Sequence, residues 1–452
     1  MSLALQTADD DVLAWRERLG EYAQRLLEMA VAAGADAAEA SARLASGMDV
    51  SVRMGEVETL EHQRDRGIAL SVYFGQRKGT ASTSDFSDRA LRDTVAAACR
   101  IARHTAEDPC AGLADAGLMA QQPVALDLYH PWSLDIDAAI DLARNCEAAA
   151  RGVDPRIRNS EGATLSSSRA VRVYANSHGF SGAHEGSRHM LGCAVIADDD
   201  DGMQRDGWYS VACHPRDLES ADTVGRMAGQ RAVALLGARR LSTRRVPVLY
   251  SPEAARGLLA HFVGAISGGA LYRRASFLCD SLGEPVFSGR VNLLEQPHLP
   301  RGLGSAAFDA EGVATRERTL VHEGVLQGYV LGSYSARRLG MQTTANAGGV
   351  HNLTLQPGTR GPEALYREMG EGLVVTRLMG QGVNPVTGDY SRGATGFYVR
   401  DGELAGPVQE ITIAGNLRDM LRGIVAVGSD LDERANIRTP SLLIDGMTVA
   451  GE

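Results

Sequence analysis

The sequence predicts an α+β fold in two parts. N-terminal helices pack on an antiparallel sheet up to about residue 240, and a β-rich, barrel-like domain over 245–452 holds one central helix. Three observations carry this expectation. Through residue 240, stretches of helical period alternate with stretches whose apolar residues recur at every second position. After residue 245 the chain turns to short β-branched runs broken by Gly, Asn and Asp, which supply turns. Between the two lies Arg239 to Arg245, a basic, polar connector, followed directly by the helix that organises the second part.

Composition narrows the function classes. A chain of 452 residues has room for two or three cores. A formal net charge of −10 argues against a broad nucleic-acid footprint, which needs a basic face. No run approaches the roughly 18 apolar residues of a membrane span. The start MSLALQTADDDVLAWRERLG lacks a basic beginning and turns acidic early, so it does not read as a secretory signal. Cys99, Cys110, Cys146, Cys193, Cys213 and Cys279 form no CxxC pair and read as reduced thiols of a cytoplasmic protein.

Taken in order, Asp11 to Gly34 predicts a long amphipathic helix with Leu13, Leu19, Tyr22, Leu26, Leu27 and Val31 on its apolar side. Ala38–Ala45, Asp49–Val57 and Gly67–Phe74 predict strands, with turns at Ser46-Gly47 and Arg64-Asp65-Arg66-Gly67. Phe86-Ser87-Asp88 opens a second helix that runs to about His104. Thr105 to Pro131 reads as a linker or long excursion. Leu134 to Gly152 predicts a third helix with Ser133 as its cap. A strand meander follows, turning at Asn176-Ser177-His178-Gly179 and in the run Asp198 to Asp201. Pro215 to Leu236 is helical again.

In the second part, Val246 to Tyr250 is a short strand. Ser251 suits an N-cap, Pro252 the first helical position, and Glu253 the positive end of the helix dipole. The helix is expected to end at Gly268-Gly269. Ala255, Leu258, Leu259, Phe262, Val263 and Ile266 make its apolar stripe. The opposite face carries Gly257, Ala260 and Gly264, with His261 at its edge. Small residues where charges are usual predict close packing, by an element of this chain or a partner chain. Beyond it, Thr319–Gly332 predicts a hairpin turning at Glu323-Gly324. Ser333–Leu339, Pro362–Met369 and Leu417–Val425 read as helical, and Leu373–Leu378, Thr395–Val399 and Glu410–Ala414 as strands. No repeat of fixed period is visible.

The string LLAHFVGAISGG resembles the central helix of the PmbA/TldE proteins, sister subunits of the TldD zinc proteases. In TldD this helix carries HExxxH after a Leu-Leu pair. Aligning Leu258, Leu259, Val263 and Gly264 sets Ala260 and Ala265 at the two histidine positions and His261 at the glutamate. Further blocks share the resemblance: Phe308–Gly312, Ser333–Arg337, Thr344–Gly349, Gly388–Gly393 and Pro407–Leu417. Singly, each also reads as turn chemistry. The resemblance implies a TldE/PmbA-type subunit of a TldD/TldE metalloprotease that cleaves unfolded or extended peptides, in peptide-antibiotic maturation and antitoxin degradation. Two metal ligands and the general base are then missing here, and no cysteine follows Cys279 to replace the one TldD-like proteins use. The resemblance therefore implies no catalytic residue in this chain, zinc in a TldD-like partner subunit, and possible homodimers when the chain is isolated. Gly388–Gly393 is expected to be a substrate-facing loop, with Asp389, Tyr390, Ser391 and Arg392 as its binding residues.

Two other readings stay open. His184-Glu185-Gly186-Ser187-Arg188-His189 spells HExxxH, so the chain could be a stand-alone zinc hydrolase with Glu185 activating water. Against this, the local period is near two, which points residues five apart to opposite faces of a strand. The plainer expectation is two solvated surface imidazoles, with His261 a hydrogen-bonded histidine rather than a ligand. The third reading is a non-proteolytic binding protein acting on gyrase or a toxin. Nucleotide and serine-hydrolase chemistry find no phosphate loop, dinucleotide fingerprint or GxSxG elbow.

Overall fold

The computed structural model describes residues 14–122 and 124–451. Its N-terminal part consists of two successive units of the same order: helix, three strands, helix. The first is α1 (Ala14–Ala32), β1 (Ala37–Arg53), β2 (Glu56–Phe74), β3 (Arg77–Thr83) and α2 (Asp88–His104). The second is α3 (Ile136–Arg151), β4 (Ile157–Asn176), β5 (Ser181–Asp199), β6 (Gly202–Ala212) and α4 (Ala221–Ala234). Their strands form one sheet in the order β3-β2-β1-β4-β5-β6, all neighbours antiparallel, with the two units joined at the β1–β4 seam.

All four helices lie on one face of this sheet, because alternate residues of the strands supply two adjoining cores. Leu19, Leu26, Leu91 and Val95 of α1 and α2 meet Ala40, Leu44, Leu70 and Val173. Ala139, Cys146, Val224 and Ala228 of α3 and α4 meet Val50, Leu165, Leu191 and Val195. The α3–α4 contact is tight: a Cβ placed on Gly225 would fall 2.1 Å from the Cys146 carbonyl oxygen.

Several local expectations are corrected. Ser46-Gly47 and Arg64–Gly67 are not turns. They lie inside β1 and β2, which pair without interruption from Ala37↔Tyr73 to Ser51↔Thr59. The polar residues there mark exposed strand surface, and pairing on both sides of β1 overrides their turn propensity. Asp135, not Ser133, caps α3, accepting from the Ala138 amide at 2.7 Å. Pro215–Leu236 divides into a single 3-10 turn, Pro215–Asp217, and α4 behind its own cap, Ser220. Val31 is exposed, whereas Leu19, Leu26 and Leu27 are buried as expected; the expected start at Asp11, and Leu13, lie outside the described residues. The stretch after α2 lies against the second part: Arg337 donates to the carbonyls of Cys110 and Gly112, each at 3.1 Å.

The second part comprises β7 (Arg244–Tyr250), α5 (Pro252–Ala265), α6 (Gly268–Tyr272), β8 (Leu293–Glu295), β9 (Arg318–His322), β10 (Val325–Leu326), α7 (Ser333–Arg338), β11 (Leu353–Leu355), α8 (Pro362–Met369), β12 (Gly372–Met379), β13 (Asp389–Arg400), β14 (Glu403–Asn416), α9 (Leu417–Arg422), β15 (Ile424–Val427), β16 (Ile437–Arg438) and β17 (Leu442–Ala450). The strands β14-β13-β12-β7-β17 close into a barrel, because β17 pairs back onto β14 at Thr412–Ala414. A second sheet runs β10-β9-β8-β11-β16. One continuous core joins Val248, Tyr250, Val375 and Ile411 of the barrel with Leu258, Leu259 and Phe262 of α5 and Leu293, Leu320 and Leu353 of the second sheet. The fold is thus α+β, with the β-rich barrel gathered on a central helix as the sequence predicts. The helix ends at Ala265, and Gly268-Gly269 opens α6 instead of closing α5. Leu417–Val425 is helical only to Arg422 and then enters β15.

The two parts lock together at the N-terminal end of α5. The Arg434 guanidinium lies 3.7 Å from the centroid of the Trp208 ring of β6 and pairs with Glu253 at 3.0 Å and Asp432 at 2.9 Å. Arg231 of α4 reaches the same Glu253 at 2.9 Å. Glu253, placed in the first turn by the sequence, is therefore a half-buried anchor for two arginines from different parts of the chain.

Candidate functional site

The central helix presents a bare face. Ala260 and Gly264 are exposed and Gly257 is half-buried. A Cβ built on Gly257 or Gly264 would meet no atom within 4 Å. The close neighbour expected on this strip is therefore not an element of this chain among the described residues. Residues five apart on a helix lie about 140° apart, and the two alanines face accordingly: Ala260 faces outward, while Ala265 is 1% exposed and sits in the core.

His261, at the edge of the bare face, is half-buried against the edge of the Tyr390 ring, with centroids 6.3 Å apart. Burial, reinforced by the positive charge of Arg392, holds its imidazole below the ordinary histidine range. Among the described residues it makes no hydrogen bond, which corrects the expectation of a hydrogen-bonded histidine. His261 thus sits edge-to-face with the Tyr390 ring and close enough to Arg392 for its charge to oppose protonation.

Gly388–Gly393 is not a loop. Asp389 opens β13 and pairs with Asn416, and Tyr390, Ser391 and Arg392 pair with Gly415, Ala414 and Ile413. Strand alternation splits the four expected binding residues into two pairs. Tyr390 and Arg392 share the side toward α5. Tyr390 is 2% exposed, so the expected open contact with substrate is replaced by a core position. Its hydroxyl is buried beside the Tyr250 side chain, and burial raises its pKa. Asp389 and Ser391 lie on the other side, exposed. Asp389 accepts from Thr387 Oγ1 at 2.6 Å and Asn416 Nδ2 at 3.3 Å. The true loop is residues 380–388. It folds back on the strand, with the Ser391 amide donating to the Gly382 carbonyl at 2.7 Å and the Asn384 amide to the Asp389 carbonyl at 2.9 Å. What the structure brings together is His261, Tyr390 and Arg392, from two regions the sequence singled out separately.

The HExxxH string lies in the middle of β5, where its two histidines point to opposite sides of the sheet. His189 is 1% exposed, on the helix side. Both its ring nitrogens are engaged, with Ser167 Oγ and the His130 carbonyl, each at 2.9 Å. His184 lies on the other side against the Phe308 ring, with Nε2 on the Phe308 carbonyl at 3.1 Å. Burial lowers its pKa to about 4. Glu185 pairs with Arg16 at 2.8 Å. The imidazoles are therefore not solvated as expected. They are packed and hydrogen-bonded, and they cannot converge on one ion. Among the described residues no group of three His, Cys, Asp or Glu side chains is placed to hold a metal. Neither α5 nor β5 fits a zinc ion.

Two further polar assemblies escaped the sequence. Asp309 is 2% exposed and accepts from the amides of Glu311, Val313 and Ala347 at 2.9, 3.1 and 2.9 Å. Burial pushes its carboxyl up to about 6. It ties the Phe308–Gly312 block to the Thr344–Gly349 block, which supports the turn-chemistry reading of both. Where the two parts of the chain meet, a cavity of about 290 Å³ is lined by Glu39, Lys78, Asp108, Glu311 and Tyr334, among others. Glu39 is satisfied there by Tyr73 at 2.9 Å, Tyr174 at 3.0 Å and Lys78 at 3.0 Å. Asp309 lies in the Phe308–Gly312 block that the sequence singled out, with only Ala347 brought from a distance; the Glu39 assembly has no local motif, because its partners come from distant segments.

Comparison with known proteins follows the same lines. Models of PmbA/TldA metallopeptidase domain 1, central domain and C-terminal domain match residues 38–102, 129–236 and 243–451. A metalloprotease PmbA homologue from Haemophilus influenzae is 46% identical over 97% of both chains. Metalloprotease PmbA from Escherichia coli O157:H7 is 45% identical over 100% of both. A Bacteroides thetaiotaomicron protein described as a modulator of DNA gyrase superimposes with a TM-score of 0.92 at 27% identity, covering 97% of this chain and 100% of that one. TldE from Thermococcus kodakarensis shares the fold, with a TM-score of 0.84 at 21% identity over 95% of this chain and 100% of its own. No helix among the described residues is long and apolar enough to cross a membrane. On its three domain matches and its full-length relatives, the chain belongs to the PmbA/TldD metallopeptidase family.

Proposed function

We propose that this chain is the TldE/PmbA-type subunit of a two-chain metallopeptidase. A TldD-like partner supplies zinc, its ligands and the general base, and the pair cleaves unfolded or extended peptides. The observation that carries this reading is the bare face of α5. The helix position where a TldD-like chain has its first metal ligand is Ala260 here, on a strip of small residues that no other described residue covers. Such a strip admits the backbone of another chain at close range. Arg392, half-buried beside His261, gives the border of that strip a positive charge that can hold a peptide carbonyl or terminal carboxylate. The six cysteines are all free, which supports a reducing, cytoplasmic setting.

The test is co-purification with a TldD-like chain followed by a peptide cleavage assay. Cleavage is expected only from the pair. Arg392→Ala in the pair is expected to raise KM more than it lowers kcat, the pattern left by loss of uniform binding. Cleavage by the TldD-like chain alone at full rate would remove the reading. About one zinc per isolated chain, lost in His184→Ala, would replace it with the stand-alone hydrolase.

A further inference from the structure

The cavity where the two parts of the chain meet carries a charge that its own residues do not balance. Its volume, about 290 Å³, is at the small end of ligand pockets, which run from roughly 300 Å³ upward. Its wall holds three carboxylates, Glu39, Asp108 and Glu311, and one ammonium group, Lys78. Lys78 pairs with Glu39 at 3.0 Å, and Tyr73 and Tyr174 complete the hydrogen bonds of Glu39. Asp108 accepts from the Tyr334 hydroxyl at 2.8 Å and the Cys110 amide at 3.0 Å. These two donors, and after them the charge of Arg338, hold the Asp108 carboxyl below its usual range, but no ion pair closes on it among the described residues. Glu311 accepts from the Ser333 amide through Oε2 at 2.8 Å, and its Oε1 has neither a hydrogen bond nor a cation among the described residues. Its charge is felt nearby: the Tyr73 hydroxyl is pushed up by burial first, then by Glu39, and further by Glu311.

A recess lined by more negative than positive groups concentrates cations, because low-dielectric walls focus its field. A metal ion does not suit this one, since no three acidic or metal-binding side chains among the described residues converge on a point. An organic ammonium group does. It brings three N–H donors, and Glu311 Oε1 can accept one of them as a charge-assisted hydrogen bond. A second acceptor stands in the same corner: Ser333, whose amide is fixed on Glu311, is 4% exposed, and its hydroxyl has no hydrogen-bond partner among the described residues. Ala106, Ala111 and Ala114 in the wall give a short methylene chain something apolar to lie against. We propose that this cavity is a binding site for a primary aliphatic ammonium group, with Glu311 as its main contact and Asp108 supplying further negative charge. The group can arrive on a free aliphatic amine or as the amino end of a peptide, and its chemistry is the same in both. Glu311 belongs to the second part of the chain and Asp108 to the first, so binding ties the two together. The inference is independent of the two-chain peptidase reading, because every residue of the site belongs to this chain and none lies on α5.

The experiment is calorimetric titration of the full chain with diaminobutane, with triglycine and with N-acetyl-triglycine. Diaminobutane, triglycine or both are expected to bind at one site per chain, in the millimolar range or tighter, and to raise Tm, as a ligand specific to the folded state must. Diaminobutane binding alone assigns the site to small amines. Triglycine binding, with the acetylated form excluded, assigns it to peptide ends. Glu311→Gln keeps an acceptor for the Ser333 amide and is expected to weaken binding by about 10- to 100-fold, the loss of a hydrogen bond to a charged group. Lys78→Met removes the competing ammonium from Glu39 and is expected to strengthen binding, whereas a change that merely loosened the seam would weaken it. The Tm of each variant without ligand reports whether the fold is intact. No binding by any of the three compounds, equal binding of the acetylated peptide, full affinity in Glu311→Gln, or weaker binding in Lys78→Met would each overturn the proposal. Cleavage by the two-chain enzyme does not enter the measurement, so the two ideas fall separately.

Discussion

Replacing Gly264 with leucine tests whether the bare face of α5 is a contact surface. The perturbation is clean because the site is exposed and a Cβ there meets nothing within 4 Å. In the isolated chain no overpacking penalty arises. A glycine inside a helix costs roughly 0.5–1 kcal/mol relative to a good helix former. Gly264 stands one residue before the end of α5 at Ala265, where fraying reduces the effect, so the expected gain is about 0.5 kcal/mol. In a domain of some 200 residues that corresponds to a rise in Tm of about 1–2 °C. With a TldD-like chain the sign reverses. A leucine on a strip that another backbone approaches closely would overpack it by about 1–3 kcal/mol, weakening association by about 5- to 150-fold. The assays are a thermal melt of the isolated chain and a binding titration with the TldD-like chain. A Tm lowered by several degrees would show that the face is packed within the chain. Unchanged association with an unchanged Tm would show that the strip touches only solvent.

Three more outcomes follow from the geometry. Gly225→Ala, matched against the Gly264 change, is expected to destabilise by about 1–3 kcal/mol in denaturant unfolding, because its Cβ would fall 2.1 Å from the Cys146 carbonyl oxygen; a wild-type midpoint would mean that α3 and α4 slide apart at no cost. His184 has its pKa lowered from 6.5 to about 4 by burial, so its contribution is present above pH 6.5 and is lost as pH falls through 4. That contribution is about 3 kcal/mol, and His184→Gln is expected to flatten the loss of stability between those pH values; a profile as steep as wild type would assign the acid sensitivity elsewhere. The isolated chain is expected to bind no zinc tightly, as elemental analysis after dialysis would show; stoichiometric zinc surviving His184→Ala and His189→Ala together would point to a site built from other residues.

How far the sequence could be read depended on where each partner lies along the chain. The β7–α5 boundary was legible from Ser251-Pro252-Glu253, all local signals, although Ser251 holds the boundary without a side-chain cap, its hydroxyl buried and unpartnered. Strand period counted against HEGSRH as a metal site, and β5 does turn its two histidines to opposite sides of the sheet. The burial of His184 and His189 was not legible, because their covers, Phe308 and His130, come from elsewhere in the chain. Tyr390 was misplaced for the same reason. Glycines on either side of it read as a loop, but its pairing partner is Gly415 on the next strand. Polar runs in β1 and β2 imitate turns because a strand with one open face carries the same residue types. The doubled helix-strand-strand-strand-helix order leaves no fixed period, since it repeats an order of elements, not of residues.

The closed barrel has a consequence for the order in which the molecule can assemble. Its first strand, β7, and its β14 are both completed by β17, the most C-terminal of the strands. Until β17 arrives, the other four barrel strands form an open sheet with two free edges, and the core beneath α5 is exposed. Contacts this distant in sequence form slowly, and sheets waiting for a missing strand are prone to aggregate. The N-terminal sheet waits less long: β1-β2-β3 and β4-β5-β6 pair between neighbours in sequence, and the distant β1–β4 seam needs no residue beyond Asn176. A growing chain therefore carries a finished sheet for some time while the barrel stays unfinished. That interval, rather than the mature structure, is where this protein would most need a chaperone.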